Sequence, residues 1–151
     1  MTIGSIHHVA IVVRSIEDSL PRYRDLFGLE PGRIFELPVQ RSRVCFLPTG
    51  PEPAARLELV QPTDDESGVA RFLASRGEGL HHVCFRSSDL VADLEALAER
   101  EVQLIDAEPR RGAEGVVAFV HPRALNGVLW ELLTPPEPQI YPDSEVDTPA
   151  W

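Results

Sequence analysis

The sequence predicts an α+β fold in which one structural unit, a strand followed by a helix and three further strands, is written twice in tandem. Three observations predict it. Ile6-His7-His8-Val9-Ala10-Ile11-Val12-Val13 and Leu80-His81-His82-Val83-Cys84-Phe85-Arg86 both read as apolar strands that open on a His-His pair. Val44-Cys45-Phe46-Leu47 matches Val117-Ala118-Phe119-Val120, and Leu57-Glu58-Leu59-Val60-Gln61-Pro62 matches Trp130-Glu131-Leu132-Leu133-Thr134-Pro135. His8 to His82 spans 74 residues, and Val44 to Val117 and Glu58 to Glu131 each span 73. A spacing held to one residue across three separated segments marks a duplication. The chain has 151 residues, 43% of them hydrophobic, which suits one domain with a core of its own. Module one runs over 6–62, a connector over 63–79 and module two over 80–134.

In the first half, Ser15 caps a helix that runs to Leu26-Phe27 and stops at Gly28, with Pro21 expected to kink it or delay its start. The connector holds an acidic stretch, Asp64-Asp65-Glu66-Ser67, and a short helix over Val69–Ala74 that Gly77 and Gly79 end. In the second half, Ser87-Ser88-Asp89 supplies the cap of an amphipathic helix with Leu90, Leu94, Leu97 and Ala98 on one face. Beyond Thr134 the chain becomes an acidic, Pro-rich tail, 135–151, expected to be poorly ordered; the alternative is an arm whose Ile140, Tyr141 and Trp151 dock on a neighbour.

Composition removes several function classes. All 14 basic residues are arginines, so neither a lysine Schiff base nor a P-loop is available. A net charge of −10 argues against a nucleic-acid partner and against a polybasic membrane anchor. Cys45 and Cys84 sit in separate apolar strands without a CxxC, which suits buried thiols in a reducing cytoplasm. No leader-like or membrane-spanning segment is legible, so a cytoplasmic protein is expected.

The chemistry lies in the duplicated polar residues. Strand alternation places His8 with Ala10 and Val12, and His7 with Val9 and Ile11, so only one histidine of each pair can face a given cavity. Glu58 and Glu131 each interrupt an apolar strand, where an unpaired carboxylate would be costly without a proton, an arginine or a metal. Two imidazoles and two carboxylates, one of each from each half, would meet if the units closed on each other. That set suits Zn, Co, Ni, Mn or Fe over Ca. Periodicity leaves open whether His7 or His8, and His81 or His82, is used. Arg110-Arg111-Gly112 reads as a solvated loop able to hold an anionic group, and His121-Pro122-Arg123 as a turn near a site mouth. No GxSxG, HExxH, complete GxGxxG or EF-hand loop is present.

From Ile6 to Thr134 the chain resembles the vicinal oxygen chelate superfamily, which includes glyoxalases, bleomycin resistance proteins and dioxygenases. The stretches Tyr23-Arg24-Asp25-Leu26-Phe27-Gly28 and Gly77-Glu78-Gly79-Leu80-His81-His82, the loop Glu108-Pro109-Arg110-Arg111-Gly112 and the turn His121-Pro122-Arg123 are similar to its methylmalonyl-CoA epimerase branch. The resemblance implies two βαβββ modules forming a curved mixed sheet around a metal site, usually in a homodimer. It implies that the second histidine of each pair is a ligand, giving His8, Glu58, His82 and Glu131 as the metal set for Co, Mn, Zn or Ni. It further implies an acyl-CoA substrate and α-proton abstraction, with Glu131 as the base. Some members of the branch carry a second glutamate as opposing acid/base, and alignment through Gln40 puts Val44 there. Gln40 and His121 remain as candidate substrate-binding residues. A glyoxalase I-like lyase and a non-catalytic binding protein of the same fold are the competing readings. An extradiol dioxygenase, needing two His and one carboxylate, is disfavoured by the fourth ligand.

Overall fold

The computed structural model describes residues 1–136. The first half comprises β1 (Ile3–Val12), α1 (Ile16–Phe27), β2 (Ile34–Leu37), β3 (Ser42–Pro48) and β4 (Arg56–Pro62). After α2 (Gly68–Arg76) the second half repeats the order with β5 (Gly79–Ser87), α3 (Leu90–Glu99), β6 (Arg110–Gly112), β7 (Gly115–Val120) and β8 (Trp130–Thr134). The eight strands form one mixed sheet in the order β2-β3-β4-β1-β5-β8-β7-β6. That order reads the same from either end once each strand is replaced by its counterpart in the other half. β1 and β5 pair antiparallel at the centre, and each pairs in parallel with the last strand of its own half. The centre of the sheet is therefore a pseudo-twofold. The two edges also approach each other, because Gln40 beyond β2 donates its Nε2–H to the Arg111 carbonyl of β6 at 2.8 Å.

Local chemistry explains the helices. Ser15 accepts from the Asp18 N–H and Gly28 ends α1 in the left-handed region at φ 66°. Pro21 does not delay the start, which stays at Ile16. It forgoes one intrahelical bond, to the carbonyl of the exposed Glu17, which water can satisfy. Ser67 caps α2, which is slightly longer than the sequence suggests, and Asp89 caps α3. Val69, Phe72 and Leu73 of α2 pack on a core of Ala10, Val12, Val44, Phe46 and Val60. Beneath α3, the fully buried Asp93 accepts from Ser87 Oγ at 2.8 Å, Thr2 N at 2.6 Å and Thr2 Oγ1 at 2.9 Å.

Arg110-Arg111-Gly112, read as a loop, is the edge strand β6, paired antiparallel with β7. His121-Pro122-Arg123 does form a turn, a 3-10 turn over Pro122–Ala124 capped by His121. Cys45 and Cys84 are free and buried. Both readings of the tail, a poorly ordered segment or an arm that docks through Ile140, Tyr141 and Trp151, lie outside the described residues. Among the described residues no helix is long and apolar enough to cross a membrane.

Candidate functional site

Strand register assembles the site. In one row across the centre of the sheet, Glu58 pairs with Ala10 and Ala10 with His82; in the next, His8 pairs with Cys84 and Cys84 with Glu131. Each row thus holds one carboxylate and one imidazole on either side of a small, fully buried residue. The small middle residues let the outer side chains of both rows lean together. Both Nε2 atoms, 3.1 Å apart, approach Glu131 Oε2, at 3.0 Å from His8 and 2.9 Å from His82. Glu58 Oε2 stands 3.3 Å from His8 Nε2 and 3.4 Å from His82 Nε2. All four side chains are buried.

The structure therefore brings together the four residues that the resemblance implied. One expectation changes: the first histidine of each pair does not turn away to the other face. His7 and His8 are both buried, with Nδ1 atoms 2.7 Å apart, and the Nδ1 atoms of His81 and His82 are 2.8 Å apart. The β1–β5 register shifts between Ile6 and His8 and again between Ala10 and Ile11, and strict alternation fails beside such irregularities.

The charges of the cluster are strongly perturbed. Burial opposes ionisation of His8, but the Glu58 charge and close contacts with Cys84, Glu131 and Glu58 push its pKa up to about 12. Burial works against the Glu131 carboxylate too, yet the facing His82 and His8 hold its pKa well below the usual carboxylate range. The pocket is thus built to hold positive charge between two carboxylates. Glu131 Oε2 is buried and receives no hydrogen bond of acceptable geometry although two imidazole nitrogens lie within 3.0 Å. A buried carboxylate oxygen left unpaired where two imidazole nitrogens converge fits a divalent cation. His8, His82 and Glu131 form one such group, all ligand atoms lying within 4.8 Å of one another. A second group, His7, His8 and Cys84, also meets that distance. There, burial pushes the Cys84 thiol up to about 12, so a metal would have to displace a tightly held proton.

A cavity of about 500 Å³ opens from the cluster. Glu58, His82 and Glu131 line it, followed along the strands by Val44, Val60, Val117 and Phe119, and further out by Gln40, Arg41, Ser67 and Arg110. Val44 lines the cavity wall, and Arg43 turns outward to Glu17 and Glu36. Arg110 pairs with Asp106 at 3.2 Å and lies over the Phe119 ring. Gln40 lines the cavity, whereas Pro122 does so in place of His121, whose Nδ1 accepts from the Arg123 N–H. Sequence reasoning did not single out Arg56 and Glu114, whose side chains pair with each other next to His7 Nε2. The doubled His-His motif was the available signal that more than the ligands matters here.

Comparison with known proteins agrees with this geometry. Residues 7–119 match the family model described as the glyoxalase/bleomycin resistance protein/dioxygenase superfamily. The chain is 40% identical over 131 residues to the uncharacterized protein YqjC of Bacillus subtilis, covering 86% of this chain and 91% of that one. It is 35% identical over 133 residues to the ethylmalonyl-CoA/methylmalonyl-CoA epimerase of Cereibacter sphaeroides, covering 86% of this chain and 97% of that protein. Among solved structures, the methylmalonyl-CoA epimerase of Mycobacterium tuberculosis superposes with a TM-score of 0.84 at 32% identity, over 89% of each chain. A methylmalonyl-CoA epimerase in complex with methylmalonyl-CoA and NH4+ superposes with a TM-score of 0.85 at 32% identity, over 89% of this chain and 96% of that one. The duplicated sheet, the paired His-Glu rows and the family match together establish that the chain belongs to the glyoxalase/bleomycin resistance protein/dioxygenase superfamily, the vicinal oxygen chelate fold.

Proposed function

We propose that the protein is a metal-dependent isomerase that epimerises an acyl-CoA thioester, with methylmalonyl-CoA as the substrate. The observation that carries this reading is the buried two-His, two-Glu cluster beside a largely apolar cavity. Two of the relatives described above, from Cereibacter sphaeroides and Mycobacterium tuberculosis, are named for this reaction. His8, Glu58, His82 and Glu131 would hold the ion, with Co, Mn, Zn or Ni suited to the donor set. When bound, the ion supplies positive charge for the thioester oxygen that turns anionic as the α-proton leaves.

The chain's own groups perform the rest. Glu131 takes the α-proton on its carboxylate as the C–H bond breaks, and the electron pair moves onto the thioester oxygen. Return of a proton to the opposite face gives the other epimer. The Val44 wall offers no carboxylate for that return, so the second proton comes from elsewhere around the cavity. Val60, Val117 and Phe119 keep the reacting carbon away from bulk water. Gln40 borders the acyl-CoA near the mouth, and His121 lies beside the wall residue Pro122. Residues 1–134 act as a single domain, 135–151 are a tail outside it, and the working form is a cytoplasmic homodimer.

The test is loss of the α-proton signal of methylmalonyl-CoA by NMR in deuterated buffer, with cobalt-loaded protein and a metal-stripped control. Rapid exchange only in the loaded sample supports the reading. Absence of exchange with cobalt bound would overturn it in favour of glyoxalase-like chemistry on a hemithioacetal.

A further inference from the structure

The first histidine of each His-His pair, outside the metal set, is arranged as carefully as the second. His8 and His82 present Nε2 to the carboxylates, and each presents its other ring nitrogen, Nδ1, to Nδ1 of the residue before it, at 2.7 and 2.8 Å. The ring pairs repeat the same posture, with centroids 5.0 and 5.1 Å apart and planes at 74° and 76°. The same contact, built once by each half, is a property of the repeated unit.

An imidazole can offer a lone pair at Nε2 only if its proton resides on Nδ1. At His8 and His82 that Nδ1–H has an acceptor within hydrogen-bond distance, the Nδ1 of His7 or His81. We propose that His7 and His81 are positioning residues: each accepts the Nδ1–H of the following histidine and thereby fixes the tautomer and ring orientation that direct Nε2 of His8 and His82 into the metal site. The inference rests on the ligand assignment above and adds residues beyond it.

The surroundings of His7 set a condition on this role. His7 Nε2 lies 2.6 Å from Arg56 Nη2, a donor, and 3.7 Å from Glu114 Oε2, an acceptor beyond hydrogen-bond distance. With Nδ1 accepting, the proton of His7 is on Nε2, so the role requires that nitrogen to exchange the Arg56 donor for the Glu114 carboxylate when the ion binds. Arg56 also stacks over Phe46 at 4.5 Å, which holds the guanidinium in place. Glu114 lies in the turn between β6 and β7, so the chain of contacts from His8 crosses from the first half of the molecule to the second. His81 is backed differently, by the Phe72 ring in a T-shaped contact with centroids 5.0 Å apart, and it lines the cavity.

The test compares substitutions of equal size. Asn places its Oδ1 close to where the imidazole Nδ1 lies and retains an acceptor, whereas Leu fills similar space without one. Cobalt affinity is measured by chelator competition, and the cobalt visible spectrum reports ligand geometry, on wild type, His7→Asn, His7→Leu, His81→Asn and His81→Leu. The Leu variants are expected to lose cobalt affinity about 10- to 100-fold and to change the spectrum, with the Asn variants restoring most of both. Leu variants that bind cobalt with wild-type affinity and spectrum would overturn the proposal, as would folded Asn variants no better than Leu. The melting temperature of the metal-free forms, expected to be similar for Asn and Leu, separates orientation from loss of fold. Should a Leu variant fail to fold, Glu114→Gln provides the second route for the His7 arm. It is expected to weaken cobalt several-fold, and an unchanged affinity counts against that arm. Wild-type cobalt binding tests the metal reading by itself, and the ratio of variant to wild type tests the positioning role. If wild type binds no cobalt, both fail.

Discussion

Glu131 is asked to serve both as a ligand and as a base, and substitution by glutamine separates the two. An amide oxygen can still reach a cation but cannot accept an α-proton. Glu131→Gln is expected to retain stoichiometric cobalt while slowing deuterium exchange by about 10²- to 10⁴-fold. Glu58→Gln, the matching change in the other half, should retain both cobalt and most of the exchange. Equal loss in the two variants, read by NMR and metal analysis, would show that the base role is shared between the carboxylates. At this scale the sequence is informative, because the His7-His8 and His81-His82 pairs and Glu58 and Glu131 stand out by their constant separation between halves, although only the family resemblance picks His8 and His82 from the pairs. What it hides is whatever depends on side chains crossing between strands. Alternation assigns His7 to the other face, yet a shifted register turns it against His8. Arg56 and Glu114 are 58 residues apart and carry no shared pattern, so nothing local announces their pairing.

Short edge elements are where pattern reading weakens. β2 has four residues and β6 three, too few for alternation to rise above the surrounding turns. They matter nonetheless, since the hairpins they form bring Gln40 and Arg111 together across the cavity. The β6–β7 turn depends on Gly115, at φ 141°, where an added Cβ would lie 2.2 Å from the Thr134 carbonyl oxygen. Gly115→Ala is expected to lower stability by roughly 2–4 kcal/mol, because both the dihedral and the contact oppose it. It should also displace Glu114, and thermal melting together with cobalt affinity would read both effects. The long elements were legible for the opposite reason: their caps and apolar faces agree over ten or more residues, as in α3. There Asp93 joins α3 to β5 through hydrogen bonds from Thr2 and Ser87. Burial opposes its charge, but those bonds hold its pKa below the ordinary aspartate value. A depressed carboxylate pKa stabilises the folded state above the ordinary value, and the benefit fades as pH falls through the depressed one. Asp93→Asn should therefore melt below wild type at pH 7, with the gap narrowing toward pH 3.

For the whole molecule, the decisive feature is that the cluster takes one imidazole and one carboxylate from each half. A cation bound there ties β4 and β8 across the central β1–β5 pair, so binding is linked to closure of the duplicated sheet. Linkage sets the size of the effect: at cobalt one hundred times its dissociation constant, the folded state gains about 2.7 kcal/mol. In a chain of this length that is a rise in melting temperature of about 5–11 °C. The metal-free state should differ in pH response as well as in height. Its raised His8 pKa, about 12 against 6.5 in the unfolded chain, means that the folded form holds one proton more than the unfolded form between those values. The stabilisation is complete below pH 6.5 and declines as pH rises through this window, by at most about 1.4 kcal/mol per pH unit. With a cation on Nε2, that proton is displaced and the decline should vanish. Melting curves from pH 6.5 to 9 are expected to fall with pH for stripped protein, and to lie higher and flatter once cobalt is added. His82→Ala should remove the cobalt-dependent rise. A melting temperature indifferent to cobalt at every pH would mean that the four side chains hold the two halves together by themselves, and the metal assignment would fail with it.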